Sequence, residues 1–552
     1  MARRLIGEGP RRKLHFRDRL QSGGRATICF RYNAAVRRWE LTLALDSGKD
    51  LPLFLQLAGA IADDIRRGRL KPGDPLPGTR ALAERLGVNR NTVVAGYEEL
   101  SAQGLVCTRA GGGTFVAEAL PAPLAAPPLP AQAPTYAFTA ALPPQLAGSA
   151  PPRGVLMMSR GVPDVRLLPA RALARAFRRA IGRQGRALLT YADPCGHLQL
   201  RSELATMLSR TRGLLATPDD ILVTRGSEQG IDLVARMLLK PGDAVAVEAF
   251  GYPPAWSVLK LAGARLVPVP LDDDGLDVAA LEKLLARERL RAVFVTPHHQ
   301  FPTTTVMSAA RRGRLAQLAL KHGFAIIEDD YDHEFHYEGK PILPIAAGEG
   351  GANVVYVGSL SNLLAPGLST GFVVAPPPVL EQLVRLRAAS DAQGDAAVEC
   401  AIAELFEEGE VLRHTRRMRR IYAARRDALA AALVRHLDGA VAFRVPDGGM
   451  ALWARADDGI DVAAWARASE REGVLFCDSR QYDFFHREQP FLRLGFTYHD
   501  ESELEEAVRR MARALAKLGR RQVQPAPASA ATDSSPRSAA PSARPPRRGS
   551  AY

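Results

Sequence analysis

Apolar positions at helical spacing run through Leu57, Ile61 and Ile65 and predict a helix, which a turn-rich stretch from Gly68 to Pro77 follows. A second short helix is predicted over Arg80 to Leu86, with Thr79 placed to cap its start and Gly87 to stop it. Asn89 is placed to cap a third helix, which carries Arg90, Asn91, Thr92, Val93, Val94 and Tyr97. Two β-type runs, Leu105 to Arg109 and Thr114 to Val116, flank Ala110-Gly111-Gly112-Gly113 and predict a hairpin. Farther on, short apolar runs such as Asp220 to Thr224, Ala244 to Val247, Ala292 to Val295 and Phe324 to Ile327 alternate with longer helical patterns. Buried strands separated by helices predict an α/β unit with a parallel sheet covered on both faces.

The pattern divides the chain. Residues 1–38 are Arg-rich and lack sustained periodicity, so they are expected to be a basic, disordered extension. Residues 39–118 hold the predicted helices and hairpin, 119–152 form a Pro/Ala-rich, semi-rigid linker, and 153–519 form the α/β domain. Residues 520–552, rich in Pro, Ala, Ser and Arg, are expected to be a disordered basic tail.

Composition changes this picture little. At 552 residues and 47% apolar content the chain is long enough for two or three domains with substantial cores. The net charge of +14 sits at the ends: residues 1–38 hold eleven Arg and Lys against Glu8 and Asp18, and the tail from Arg520 holds six Arg against Asp533. The folded core is therefore close to neutral. The termini add either non-specific phosphate attraction or only solvated charge. Cys29, Cys107, Cys195, Cys400 and Cys477 are scattered and odd in number, which argues against a disulfide framework or a zinc site. Without a long apolar run or a signal-peptide pattern, the expected location is the cytoplasm, with no membrane partner.

Candidate chemistry falls in two places. Two short helices around a glycine turn form a helix-turn-helix, and Arg90 and Asn91 at the start of the second suit guanine and adenine edges or phosphate. In the α/β region, Thr224-Arg225-Gly226-Ser227-Glu228-Gln229 follows a strand and opens a helix. The free N–H groups there and the Ser227 hydroxyl make an anion site. Tyr252 presents an aromatic face after the next strand. Asp329 and Tyr331 end a buried strand, where a carboxylate can hold a pyridine nitrogen and a phenol can bond a ring oxygen. Arg493 can grip a carboxylate bidentately. Each also has a structural reading: helix capping for Gly226-Ser227, a capped strand end for Asp329, core packing for Tyr252 and a salt bridge for Arg493.

The pattern from Leu53 to Val116 resembles the GntR-type winged helix, a resemblance implying that Arg80, Arg90, Asn91, Thr92 and the Gly112 wing touch double-stranded operator DNA. Gly78 stands where that family usually has serine. Several further motifs join those already given: Tyr191-Ala192-Asp193-Pro194, His299-Gln300-Phe301-Pro302-Thr303, Arg416 to Tyr422 and Ser359-Leu360-Ser361-Asn362. Together they make residues 45–518 resemble MocR/GabR-type regulators, in which the winged helix is fused to a fold-type-I, PLP-dependent transferase (aminotransferase class I/II) domain. The resemblance implies a head-to-tail homodimer and a pyridoxal 5'-phosphate pocket formed by Ser227, Glu228, Tyr252, Asp329, Tyr331, Ser359 and Ser361. It also implies that Arg493 meets a ligand carboxylate.

The chain departs from the family pattern where the chemistry is most demanding. Asn362 stands where the family has the lysine that holds pyridoxal phosphate as a Schiff base, Ser369 where it has a phosphate-binding arginine, and Thr304 where it has glycine. An amide nitrogen is not a nucleophile, because its lone pair is delocalised into the carbonyl. No residue is therefore assigned a catalytic role, and pyridoxal phosphate is expected to bind non-covalently at most. The expected function is a DNA-binding transcriptional regulator with a pseudo-aminotransferase domain. That domain serves dimerisation and the sensing of an amine, amino-acid or vitamin B6 effector. The alternative is a PLP-dependent aminotransferase with an appended DNA-binding domain.

Overall fold

The computed structural model describes residues 26–34, 37–46, 51–109, 113–120, 154–159 and 161–523. They belong to two compact units, one on each side of residue 137. Among the described residues no helix is long and apolar enough to cross a membrane.

The first unit opens with an antiparallel pair, β1 (Ala26–Ala34) and β2 (Arg37–Leu45), with Ala34 opposite Arg37. This corrects the reading of residues 1–38 as wholly disordered. The β-branched and aromatic residues of Thr27 to Tyr32 and Trp39 to Leu43 favour strands, and the interleaved arginines hid that signal. The helix α1 (Leu53–Arg66) buries Leu57, Ile61 and Ile65, as its spacing predicts. It is followed by α2 (Thr79–Leu86) and α3 (Arg90–Ala102). Gly87 ends α2 in the left-handed region at φ 63°, and the Asn89 side chain caps α3 by accepting from the Asn91 N–H at 2.9 Å. Thr79 does not cap α2. Gly78 holds the N-cap position, and Thr79 is already helical. Gly96 lets α3 approach α1 closely, since a Cβ there would lie 3.2 Å from the Phe54 carbonyl and 3.1 Å from Leu57 Cδ2. The strands β3 (Val106–Arg109) and β4 (Gly113–Val116) pair antiparallel as the wing.

In the second unit, seven strands form the main sheet: β5 (Ile221–Thr224), β6 (Ala244–Glu248), β7 (Arg265–Val269), β8 (Ala292–Val295), β9 (Ala325–Asp330), β10 (Val354–Ser359) and β11 (Gly371–Val374). Their spatial order is β5-β11-β10-β9-β8-β6-β7. Period-two alternation splits the apolar side chains between the faces. Val245, Val247, Phe294, Ile327, Val355 and Val357 join one core, and Ala246, Val293, Val295 and Ile326 another. Six strands run parallel, but β11 is antiparallel to both neighbours, which corrects the expectation of a wholly parallel sheet. The link between β10 and β11, residues 360–370, contains no α-helix to carry the chain back across the sheet, so it turns round instead.

Helices α5 (Gly226–Leu238), α6 (Pro253–Leu261) and α7 (Ala309–His322) supply buried residues to these cores, and α4 (Leu198–Arg212) supplies them to a third, with Ile221 and Val223 of β5. A smaller antiparallel sheet follows in the order β12 (Val441–Phe443), β13 (Ala451–Ala456), β15 (Phe491–Gly495), β14 (Cys477–Asp478). It shares a core with α8 (Glu410–Leu437) and α9 (Glu501–Val523), through Tyr422, Leu429, Leu504 and Val508. The helix α9 passes the expected domain end at 519 by four residues, because Ala, Lys, Leu and Arg sustain helix across that boundary.

Candidate functional site

In the first unit, α2 and α3 present one polar surface. Arg80, Arg90 and Asn91 are exposed and Thr92 is half-buried. Two contacts tie α3 to the start of α2 and the segment before it. Arg90 Nε donates to Thr79 Oγ1 at 3.5 Å, and the buried Tyr97 hydroxyl donates to the Pro77 carbonyl at 2.8 Å. In the wing, Arg109 pairs with Glu118 at 2.6 Å and lies over the Phe115 ring. Gly112 lies outside the described residues; its neighbour Gly113 adopts φ 94°, a conformation suited to glycine.

In the second unit the candidate residues converge at the carboxyl ends of the main-sheet strands, where open α/β sheets bind ligands. β5 ends at Thr224, and the chain turns through Gly226 at φ 76° into α5. The arginine at the N-cap of α5 makes no side-chain cap, so the first turn keeps its anion-attracting character. Gly371 lies directly on this turn. A Cβ there would fall 2.8 Å from Ser227 N, so only glycine lets the loop after β10 sit so close. β10 ends at the buried Ser359, and the loop carries Ser361, whose N–H donates to Ser359 Oγ at 3.2 Å. Ser369 also faces Gly226.

The aromatic and charged members form a connected set. Tyr252 donates its hydroxyl to Glu228 Oε1 at 2.8 Å and meets Phe301 edge to face, with ring centroids 5.1 Å apart. Phe301 also packs edge-on against Tyr331 and lies under the Arg493 guanidinium at 4.6 Å. Phe301 is a member of this set that the sequence pattern does not mark as a site residue. Its place between Tyr252, Tyr331 and Arg493 depends on tertiary packing that spacing does not encode. Tyr331 donates its hydroxyl to the His299 carbonyl at 2.7 Å, so its proton is engaged within the protein rather than free for a ring oxygen. Asn362 Nδ2 donates to the Tyr331 carbonyl at 3.1 Å.

Two groups stand out electrostatically. Asp329 is 3% exposed, and its Oδ1 has no hydrogen-bond partner among the described residues. Burial first, and then the carboxylates of Asp330, Asp332, Glu248 and Glu228, push its pKa well above the usual carboxylate range. Arg493 is likewise 3% exposed, and no carboxylate of the described residues lies within ion-pair distance of it, which removes the salt-bridge reading. Its Nε is also without a partner. The guanidinium does have neighbours within the protein, the Phe301 ring beneath it, the Tyr331 side chain and the Asp332 carboxylate, but no ion pair neutralises it, and an anionic ligand would lower the cost of burying it.

Comparison with known proteins gives two family matches and full-length relatives. Residues 154–511 match the family described as aminotransferase class I and II, and residues 53–116 match the bacterial regulatory proteins of the gntR family. The probable rhizopine catabolism regulatory protein MocR of Rhizobium meliloti is 33% identical over 483 residues, covering 86% of this chain and 96% of the relative. The pyridoxine biosynthesis transcriptional regulator PdxR of Corynebacterium glutamicum is 32% identical, covering 70% of this chain and 80% of that protein. Among solved structures, the α-aminoadipate aminotransferase LysN of Thermus thermophilus, complexed with N-(5'-phosphopyridoxyl)-L-leucine, aligns with a TM-score of 0.62 at 31% identity. It covers 67% of this chain and 94% of the enzyme.

Proposed function

Because the chain belongs to the aminotransferase class I and II family and carries a gntR-family head, we propose that it is a transcriptional regulator. In this reading the α2–α3 surface binds operator DNA, and the aminotransferase-like unit is a non-catalytic sensor. The observation that carries the sensor is two buried groups with spare bonding capacity, Asp329 with an unbonded Oδ1 and Arg493 with an unbonded Nε and no ion pair, in a pocket where position 362 offers an amide instead of an amine.

Half of the pocket fits pyridoxal phosphate. The Asp329 carboxyl, with its unbonded Oδ1, suits a pyridine nitrogen, and the α5 N-terminus with Ser227, Ser359 and Ser361 suits a phosphate. When bound, the cofactor supplies an electron-withdrawing ring and an amine-reactive aldehyde. Asn362 cannot attach it, so it is held non-covalently, with Tyr252, Tyr331 and Glu228 forming the walls and Arg493 receiving the carboxylate of an amino-acid effector. A cytoplasmic homodimer is part of the same reading. Leu189, Tyr191 and Leu215 are 79%, 92% and 88% exposed, apolar area of the kind a partner subunit would cover.

The test is operator selection from random duplex DNA, followed by binding titrations at fixed salt. Arg90→Ala should weaken the selected operator by about 1–3 kcal/mol. Pyridoxal phosphate with an amino acid should shift operator affinity in the wild type but not in Arg493→Ala. Sustained transamination by the wild type would favour the enzyme reading instead.

A further inference from the structure

β8 and β9 are parallel neighbours, with Val295 opposite Glu328, so the segments that follow them leave from the same end of the sheet. The first carries His298 and His299, and the second carries His333 and His336. The register brings the four imidazoles together. The His298 ring centroid lies 4.4 Å from that of His299 and 6.0 Å from that of His336. One ring nitrogen from each of His298, His299 and His336 lies within 4.8 Å of the other two.

These nitrogens are not otherwise used. His298 and His299 are 4% and 1% exposed, and His336 is half-buried. Both ring nitrogens of His298, both of His336 and Nε2 of His299 lack a hydrogen-bond partner among the described residues. Every imidazole nitrogen is either a donor or an acceptor, so five unmatched in one place make a costly arrangement unless something binds there. His333 has a different role. It stacks on His298 at 4.3 Å, with Nδ1 3.0 Å from Asp330 Oδ2.

The surroundings favour metal ligation. His299 Nδ1 lies 2.8 Å from Asp332 Oδ1, which keeps the proton on Nδ1 and leaves Nε2 with a free lone pair. Gly448 bridges the backbone of His336 and leaves room for that nitrogen, since a Cβ there would come within 2.3 Å of His299 Nε2.

We propose that His298, His299 and His336 form a binding site for one divalent first-row transition-metal ion, of the class that includes zinc, cobalt, nickel and copper. Three imidazole ligands with no carboxylate among them select this class over magnesium and calcium, which take oxygen ligands. Zinc–nitrogen bonds of about 2.0–2.1 Å in a tetrahedron need ligand nitrogens roughly 3.4 Å apart, so ring rotations of about 1 Å complete the site. Three protein ligands leave a further coordination position for water or a small anion. The site does not depend on whether the neighbouring pocket binds pyridoxal phosphate.

The experiment uses the untagged, full-length protein stripped with a chelator. Cobalt(II) is titrated by visible absorbance, and zinc by competition with a chromophoric chelator. One equivalent per chain is expected. His336→Gln and His298→Gln should each weaken binding at least about 100-fold, and Asp332→Asn about 10–100-fold. His436→Gln, away from the cluster, should change nothing. Copper(II) on the wild type should give an electron paramagnetic resonance spectrum with splitting from several imidazole nitrogens, a readout that holds even if a variant fails to fold. No stoichiometric cobalt or zinc binding, binding untouched by His336→Gln and His298→Gln, or a copper spectrum with oxygen ligands alone would overturn the proposal.

Discussion

The Asn362 side chain donates to the backbone carbonyl of Tyr331 at 3.1 Å, tying the loop after β10 to the end of β9. An amide does this well, because its N–H is a good donor even though its nitrogen is a poor nucleophile. Position 362 therefore holds two pieces of the pocket in register. On the proposed reading, a ligand in this pocket would meet recognition groups but no amine at position 362 to attach it.

Arg493 is the most direct probe of that recognition. A buried guanidinium outside any ion pair carries a desolvation cost that its contacts to Phe301 and Tyr331 offset only in part, and an apolar side chain of similar length removes that cost. Arg493→Met should raise unfolding free energy by about 1–3 kcal/mol in denaturant melts, and should abolish any stabilisation by carboxylate ligands. A loss of stability without ligand would mean that the guanidinium is satisfied within the protein.

Thr304 lies in the left-handed region at φ 63°, which strains a β-branched residue by about 1–3 kcal/mol. Its N–H donates to the Gln300 carbonyl at 2.6 Å, a bond glycine keeps. Glycine adds freedom to the unfolded chain, which offsets part of the gain. Thr304→Gly should raise stability by about 1 kcal/mol and increase the melting temperature. A lower melting temperature would show that the threonine side chain contributes contacts larger than the strain.

Glu248 gives a pH signature. Burial pushes its carboxyl from 4.5 to about 7, against the lowering effect of its bonds to Thr296. The folded state holds the proton longer than the unfolded state does. Its contribution is therefore fully present below about pH 4.5 and is lost as pH rises through about 7. Glu248→Gln can keep both contacts to Thr296 and does not titrate. Relative to the wild type, it should gain about 2–3 kcal/mol between pH 4.5 and pH 8, read from melts across that range. A constant difference would mean that Glu248 is ionised in the fold.

Local signals made much of this legible. Asn89 and Gly87 bound their helices as capping chemistry requires, and Asp329, Tyr331 and Asn362 fall at strand ends. What the sequence did not disclose was set by distant partners. Nothing near Thr79 announces that Gly78 takes the cap position, and nothing near Phe301 announces that it packs between Tyr252 and Arg493. His298 and His336 become neighbours only through the β8–β9 register.

The most direct test of the central claim is a pyridoxal phosphate titration of the wild type and Asn362→Lys, read by visible absorbance and followed by borohydride reduction. The account predicts reversible binding by the wild type with no label retained, and a covalently retained label in the variant. A wild-type protein that retains the label after reduction, or a variant that never does, would contradict it.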